Sequence, residues 1–294
     1  MRQHTEKLLV AAFTVFLLCV AAITTVAAGE AKRIVVAGGD LTEIAYALGA
    51  GDRIIAVDST SNYPAEVSEK EQIGYVRRLS AEGILALTPD LMLIAHDAGP
   101  DTAVSQLKGA GVRIAKAPSD DTIDAIPDKI RFVGTELGAE ADATALAGEV
   151  KTALADVAAR VATLKSNPKV LFLLSLDRGT PLAGGTGTSA HQMIARAGGI
   201  NAAAGFEGYK PMSREAILDA APDIILMMQQ HAERAGGLEA VLARPEIKLT
   251  PAGETGDAVA IEGMLLLGFG PRTPQAIAEL ARAIHKDAAK QAGL

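Results

Sequence analysis

Short, nearly continuous apolar runs at residues 33–37, 54–57, 90–95 and 112–117 read as buried strands. The segments at 41–48, 79–87 and 102–109 read as helices. Asp40 or Thr42 is placed to cap the first helix, Gly49 closes it, and Pro89 stops the second. Apolar strands that alternate with helices predict a parallel sheet covered on both faces. From 122 to 166 the strand signal disappears and Ala, Glu, Lys and Leu dominate. Gly138 breaks this stretch. From 139 to 165, Leu146, Val150, Leu154, Val157, Val161 and Leu164 recur three or four residues apart, which predicts one helix about 40 Å long. The alternation then resumes, with strands at 169–175, 223–228 and 258–261 and helices at 190–197, 214–220, 237–242 and 274–291.

The two halves repeat. Residues 79–94 can be laid on 212–227 without a gap, so that Ser80 matches Ser213, Glu82 matches Glu215, and Pro89-Asp90 matches Pro222-Asp223. Each copy reads as a capped helix, a proline stop and a buried strand. Ser-x-Glu is a common helix start, so shared capping chemistry is the alternative explanation. A pair of pseudo-symmetric lobes also accounts for the long helix between the copies. The expected fold is therefore α/β: two Rossmann-like lobes with central parallel sheets, joined by one long inter-lobe helix, with the ligand cleft between them. The expected boundaries are 29–138 for the first lobe, 139–166 for the helix and 167–294 for the second lobe.

The length of 294 residues suits two lobes of about 120 residues each. A net charge of −7 argues against nucleic acid as a partner. Arg2 and Lys7 precede an uncharged apolar run from 8 to 26, and Val26-Ala27-Ala28 follows the pattern of a secretory cleavage site. This predicts a signal peptide over 1–28, cleaved near Ala28, and a periplasmic protein. The alternative is retention of the run as a membrane anchor. Cys19 lies inside the run and Leu18 before it is too large for a lipobox, so the mature chain would have no cysteine for disulfides or thiolate chemistry.

With its doubled Ser-x-Glu…Pro-Asp segment and inter-lobe helix, the chain resembles the helical-backbone class of periplasmic binding proteins. That class serves ABC importers for vitamin B12, ferric siderophores and haem. Within it, Gln72-Ile73-Gly74-Tyr75-Val76-Arg77-Arg78-Leu79-Ser80, Gly184-Gly185-Thr186-Gly187-Thr188-Ser189-Ala190 and Ala197-Gly198-Gly199-Ile200-Asn201 are similar to segments of the haem-binding branch. The resemblance implies haem as the transported ligand, an inner-membrane ABC permease as the partner, no catalytic cofactor and a monomeric carrier.

On that reading Tyr75 is the expected axial ligand, because a phenolate is a hard anionic oxygen suited to ferric iron. Arg77 and Arg78 either pair with the phenolate or a propionate, or are solvated charges at a helix start. His96, His191 and His231 are candidates for a further ligand, and Arg234 for a contact from the second lobe. Tyr209 follows Gly208 as Tyr75 follows Gly74, and is expected to face Tyr75 across the cleft, stacking on a porphyrin, binding a second haem or packing in the core. In the family, one glutamate per lobe pairs with an arginine of the permease, and Glu82 and Glu215 occupy those positions here. Helix starts favour carboxylates in any case.

Three other classes compete. A siderophore or B12 carrier would share the fold, but siderophore recognition calls for more cleft aromatics than a chain with no Trp, four Tyr and six Phe supplies. A metal-ion binder needs several converging His and carboxylate ligands. After the leader only His96, His191, His231 and His285 remain, the last on the closing helix. A secreted enzyme would need a nucleophile–base or metal-hydrolase pattern, and none is evident.

Overall fold

The computed structural model describes residues 31–119, 122–176 and 179–294, without the side chain of Asp287. The expected leader, 1–28, lies outside these residues. No helix among the described residues is long and apolar enough to cross a membrane.

The first lobe runs β1 Ile34–Ala37, α1 Gly39–Ala47, β2 Ile54–Val57, β3 Glu71–Gln72, α2 Ala81–Ala86, β4 Leu91–Ile94, α3 Asp101–Gly109 and β5 Arg113–Lys116. Its sheet has the order β3-β2-β1-β4-β5 and every pairing is parallel. Every residue of β1 and β4 is buried, as expected for central strands covered on both faces. Neither Asp40 nor Thr42 caps α1. The helix starts earlier, with Gly38 at the cap position and no side-chain cap. Asp40 is drawn instead to Lys129, and the Thr42 hydroxyl donates back to the Gly38 carbonyl at 3.1 Å.

Helices α4 Ile126–Leu137 and α5 Glu140–Val161 follow, separated at Gly138 as the sequence predicts. Helix α5 has 22 residues and is about 33 Å long, shorter than expected at both ends. Its buried face is Ala143, Ala147, Val150, Leu154 and Val157, so small residues share the stripe that the larger ones announced. It packs on α4 at one side and, in the second lobe, on α12 Thr273–His285.

Before α12, the second lobe contains β6 Lys169–Ser175, β7 Leu182–Gly184, α6 Ser189–Arg196, β8 Ile200–Asn201, β9 Tyr209–Pro211, α7 Arg214–Ala220, β10 Ile224–Met228, α8 Gln229–Arg234, α9 Leu238–Leu242, α10 Pro251–Thr255, β11 Ala258–Ile261 and α11 Gly263–Leu267. The sheet order is β11-β10-β6-β7-β9, with β8 on one end of β6. Strands β6, β8, β10 and β11 are parallel, whereas β7 and β9 add an antiparallel edge that the sequence pattern does not announce. The closing helix is not continuous to residue 291. It breaks at Lys286, which has φ 49°, and resumes as α13 Asp287–Gln291.

The internal repeat is structural as well as sequential. The Ser80 side chain accepts from Gly83 N and that of Ser213 from Ala216 N, so both serines cap their helices. Thr88 and Ala221, matched in the repeat, both turn the chain at φ 46°. Asp90 then accepts from the backbone amides of Lys32 and Arg33 at the start of β1, and Asp223 from that of Lys169 at the start of β6. Each Pro-Asp thus clips the incoming strand to the neighbour it pairs with.

The lobes meet along α1. Lys129, 6 % exposed on α4, pairs with Asp40 at 2.5 Å and donates to the carbonyl of Phe269 in the second lobe at 3.4 Å. Glu43, also 6 % exposed, accepts from Arg272 through both its backbone amide and its guanidinium. Asn62 donates to Glu262 at 2.7 Å, and Glu262 in turn caps α11. Buried charges that are each paired avoid the penalty of an uncompensated ion.

Candidate functional site

In open α/β sheets, ligands bind beyond the carboxyl ends of the strands where the strand order reverses. In the first lobe that point lies between β1 and β4. A cavity of about 210 Å³ opens there, lined by Gly38 and Gly39 after β1 and by Ala95, His96 and Asp97 after β4. Ser189, Met264, Leu267 and Phe269 close it from the second lobe. The missing side chain of Gly39 makes this approach feasible: a Cβ there would lie 2.6 Å from both Met264 Cε and the Thr60 carbonyl.

Tyr75 is half-buried on the wall of this cavity. It follows Gly74, whose φ of 86° turns the chain away from the edge strand β3 in a conformation that costs glycine little. The segment is pinned on two sides: Ser59 N donates to Gly74 O at 2.8 Å, and Gly99 N donates to Val76 O at 3.0 Å. The phenol oxygen accepts from Arg77 Nη1 at 3.2 Å. The guanidinium carbons of Arg77 and Arg78 lie 5.9 and 5.7 Å from the centre of the ring, within cation–π range. Arg77 is held in turn by Asp97, through Nε at 2.6 Å and Nη2 at 2.5 Å. A tyrosine lining an inter-lobe cavity, with a guanidinium hydrogen-bonded to its oxygen, suits anionic oxygen ligation of a hard cation.

The other candidate residues are distributed unevenly. His96 lines the same cavity. His191 sits in the first turn of α6, where its ring Nδ1 is 3.3 Å from Asn201 Nδ2. The ring of His231 is held by the Leu174 carbonyl at the end of β6, which occupies its Nδ1 in a structural contact. Arg234 is exposed at the end of α8 and is not among the cavity's lining residues. Tyr209 is 39 % exposed on the edge strand β9, with its ring edge-on to Phe172 at 6.4 Å. Burial raises its phenol above the usual tyrosine value, while a hydrogen bond from Thr188 and the charge of Arg77 pull it part of the way back. Asp97 and Lys129 are additional polar groups of this cavity that the sequence reading did not name.

Glu82 and Glu215 are exposed in the first turns of α2 and α7. Hydrogen bonds from its own backbone amide and from Ser213 hold the Glu215 carboxyl below the usual carboxylate range.

A larger cavity, about 630 Å³, lies at the other end of α1, between Tyr46, Tyr63 and Arg272. It is lined by Glu43, Asp52, Glu66 and Glu69 against only Lys70 and Arg272, and by no strand end. Its charge disfavours an anionic ligand, so the smaller cavity at the switch point is the better site for one. Among the described residues, no group of three or more His, Cys, Asp or Glu converges to hold a metal ion.

The periplasmic heme-binding protein RhuT from Roseiflexus sp. RS-1, in its apo form, is 40 % identical and superposes with a TM-score of 0.84 over 88 % of this chain and 99 % of its own. The periplasmic heme-binding protein BhuT, in complex with two hemes, is 38 % identical with a TM-score of 0.83 over 88 % and 99 % of the two chains. An ABC transporter substrate-binding lipoprotein of Bacillus subtilis, YvrC, is 29 % identical over 89 % of this chain and 82 % of its own. The profile of the periplasmic binding protein family spans residues 34–263, and the chain is a member of that family.

Proposed function

We propose that this protein captures haem in the periplasm and delivers it to an ABC importer in the inner membrane, acting as a monomer and without catalysis. The observation that carries this reading is Tyr75 at the wall of the inter-lobe cavity, with its phenol oxygen hydrogen-bonded to Arg77. Haem is the substrate and not a resident cofactor. Tyr75 is the axial ligand, and ferric iron is matched to its anionic oxygen. Arg77 stabilises that oxygen as an anion. Met264, Leu267 and Phe269 offer apolar contact to a flat macrocycle, and methionine adapts its shape to such a surface. Tyr209 supplies an aromatic surface from the second lobe. The exposed Glu82 and Glu215, one on each lobe, dock the loaded carrier on the permease.

Titration of the chain from residue 29 onward with hemin, cobalamin and a ferric siderophore tests the reading. Hemin is expected to give a red-shifted Soret band and a phenolate-to-iron charge-transfer band, both lost in Tyr75→Ala. A response to cobalamin or the siderophore, with none to hemin, would transfer the proposal to that cargo.

A further inference from the structure

The Tyr75 oxygen is contacted by an arginine whose side chain is exposed, with 61 % of its surface accessible. A long exposed side chain of this kind ordinarily samples many rotamers. Here it does not hang free. The edge of the guanidinium formed by Nε and Nη2 converges on one oxygen of Asp97, at 2.6 and 2.5 Å. The remaining nitrogen, Nη1, is the one that reaches the Tyr75 oxygen at 3.2 Å. Because the guanidinium is planar and rigid, fixing one edge fixes the direction of the other. Asp97 is itself anchored by the backbone on both sides of its turn. Ala95 N donates to Ala37 O at 2.8 Å, Ala98 N to Ala95 O at 3.1 Å, and Gly99 N to Val76 O at 3.0 Å.

The second lobe lacks this arrangement. The residue two after Tyr209 is Pro211, where Tyr75 has Arg77, and the repeat places Gln230 opposite Asp97. The two tyrosines therefore share a preceding positive-φ glycine but not a fixed guanidinium.

We propose that Asp97 is a positioning residue for cargo capture: it holds Arg77 so that Nη1 stays on the Tyr75 oxygen, and it thereby sets how that oxygen binds ferric iron and makes Tyr75, not Tyr209, the iron-bearing tyrosine. This rests on the haem reading above. Asp97 lines the same cavity, and its effect on the iron site runs through Arg77.

The test is a mutant cycle on the hemin-loaded protein, with the charge-transfer band, the ferric/ferrous reduction potential and hemin affinity as readouts. Asp97→Ala and Arg77→Ala should each displace the band and the potential in the same direction and weaken hemin binding by about tenfold, the cost of a lost hydrogen bond to a charged group. The double variant should match Arg77→Ala alone, and Asp97→Glu should recover part of the wild-type band. Thermal unfolding should change little in all of them, because Arg77 is exposed and Asp97 is only partly buried. A wild-type band and potential in Asp97→Ala would overturn the proposal, as would an effect of Asp97→Ala that adds in full to that of Arg77→Ala. Absence of any Tyr75-dependent band in the wild type would instead overturn the haem reading, and this inference with it.

Discussion

His285 is the ionisable side chain whose environment makes the clearest demand on pH. It is 6 % exposed at the end of α12, with Nε2 3.0 Å from the Ala197 carbonyl and Nδ1 3.0 Å from the Ser166 hydroxyl. The carbonyl can only accept, so Nε2 carries the proton and Nδ1 accepts from Ser166. Burial lowers the histidine's proton affinity below its ordinary value, and the hydrogen bond to Ala197 offsets part of that. A group with a depressed folded value binds fewer protons when native than when unfolded. Stability is therefore complete above the unfolded value of about 6.5 and falls as the pH drops below it towards the folded value. Urea midpoints between pH 8 and pH 5 should fall on the acid side in the wild type and fall less steeply in His285→Gln. Identical slopes would mean that the burial of this ring is not linked to folding. At this scale the sequence is a partial guide. Tyr75 stands out only through Gly74-Tyr75-Val76-Arg77, the motif that resembles the haem-binding branch. Asp97 is not, because its partner lies 20 positions away in the chain. Lys129 reads as one more charge on a helix, whereas in the fold it is buried against Asp40 and the Phe269 carbonyl.

The repeated helix–turn–strand units carry the fold from residue to element. Ser80 and Ser213 each satisfy an amide that the first turn of a helix leaves without a partner. Replacing either with Ala should cost about 1 kcal/mol of unfolding free energy, and the two losses should add, because the caps sit in different lobes. Chemical denaturation of the single and double variants measures this, and losses well below additivity would indicate that the caps are not independent. Hydrophobic patterning finds the central strands because they are apolar throughout and buried on both faces. It does not find β7 and β9. Each has three residues, β9 is exposed along its length and contains Pro211, and they pair across more than twenty intervening positions. Nor does it find the break at Lys286, where neither glycine nor proline marks the positive φ.

At the scale of the whole molecule, α5 packs against both lobes, which also meet through Lys129 with the Phe269 carbonyl and through Glu43 on α1 with Arg272. Two sheets held at this bearing leave the switch-point cavity between them and set the separation of the exposed Glu82 and Glu215. If these carboxylates dock the carrier on its permease, Glu82→Ala and Glu215→Ala should each reduce hemin uptake into proteoliposomes containing the permease, and together nearly abolish it, with hemin affinity in solution unchanged. Uptake that survives the double substitution would remove the docking role and leave both residues as dipole-compensating charges at helix starts. The central claim, that iron meets the phenol oxygen of Tyr75 inside the inter-lobe cavity, is tested most directly by anomalous diffraction from hemin-loaded crystals at the iron edge. The expected result is an iron peak at bonding distance from Tyr75 Oη, with Met264 and Phe269 against the macrocycle. An iron peak in the acidic cavity beside Tyr46 and Arg272, or one bound through Tyr209 with Tyr75 unligated, would contradict it.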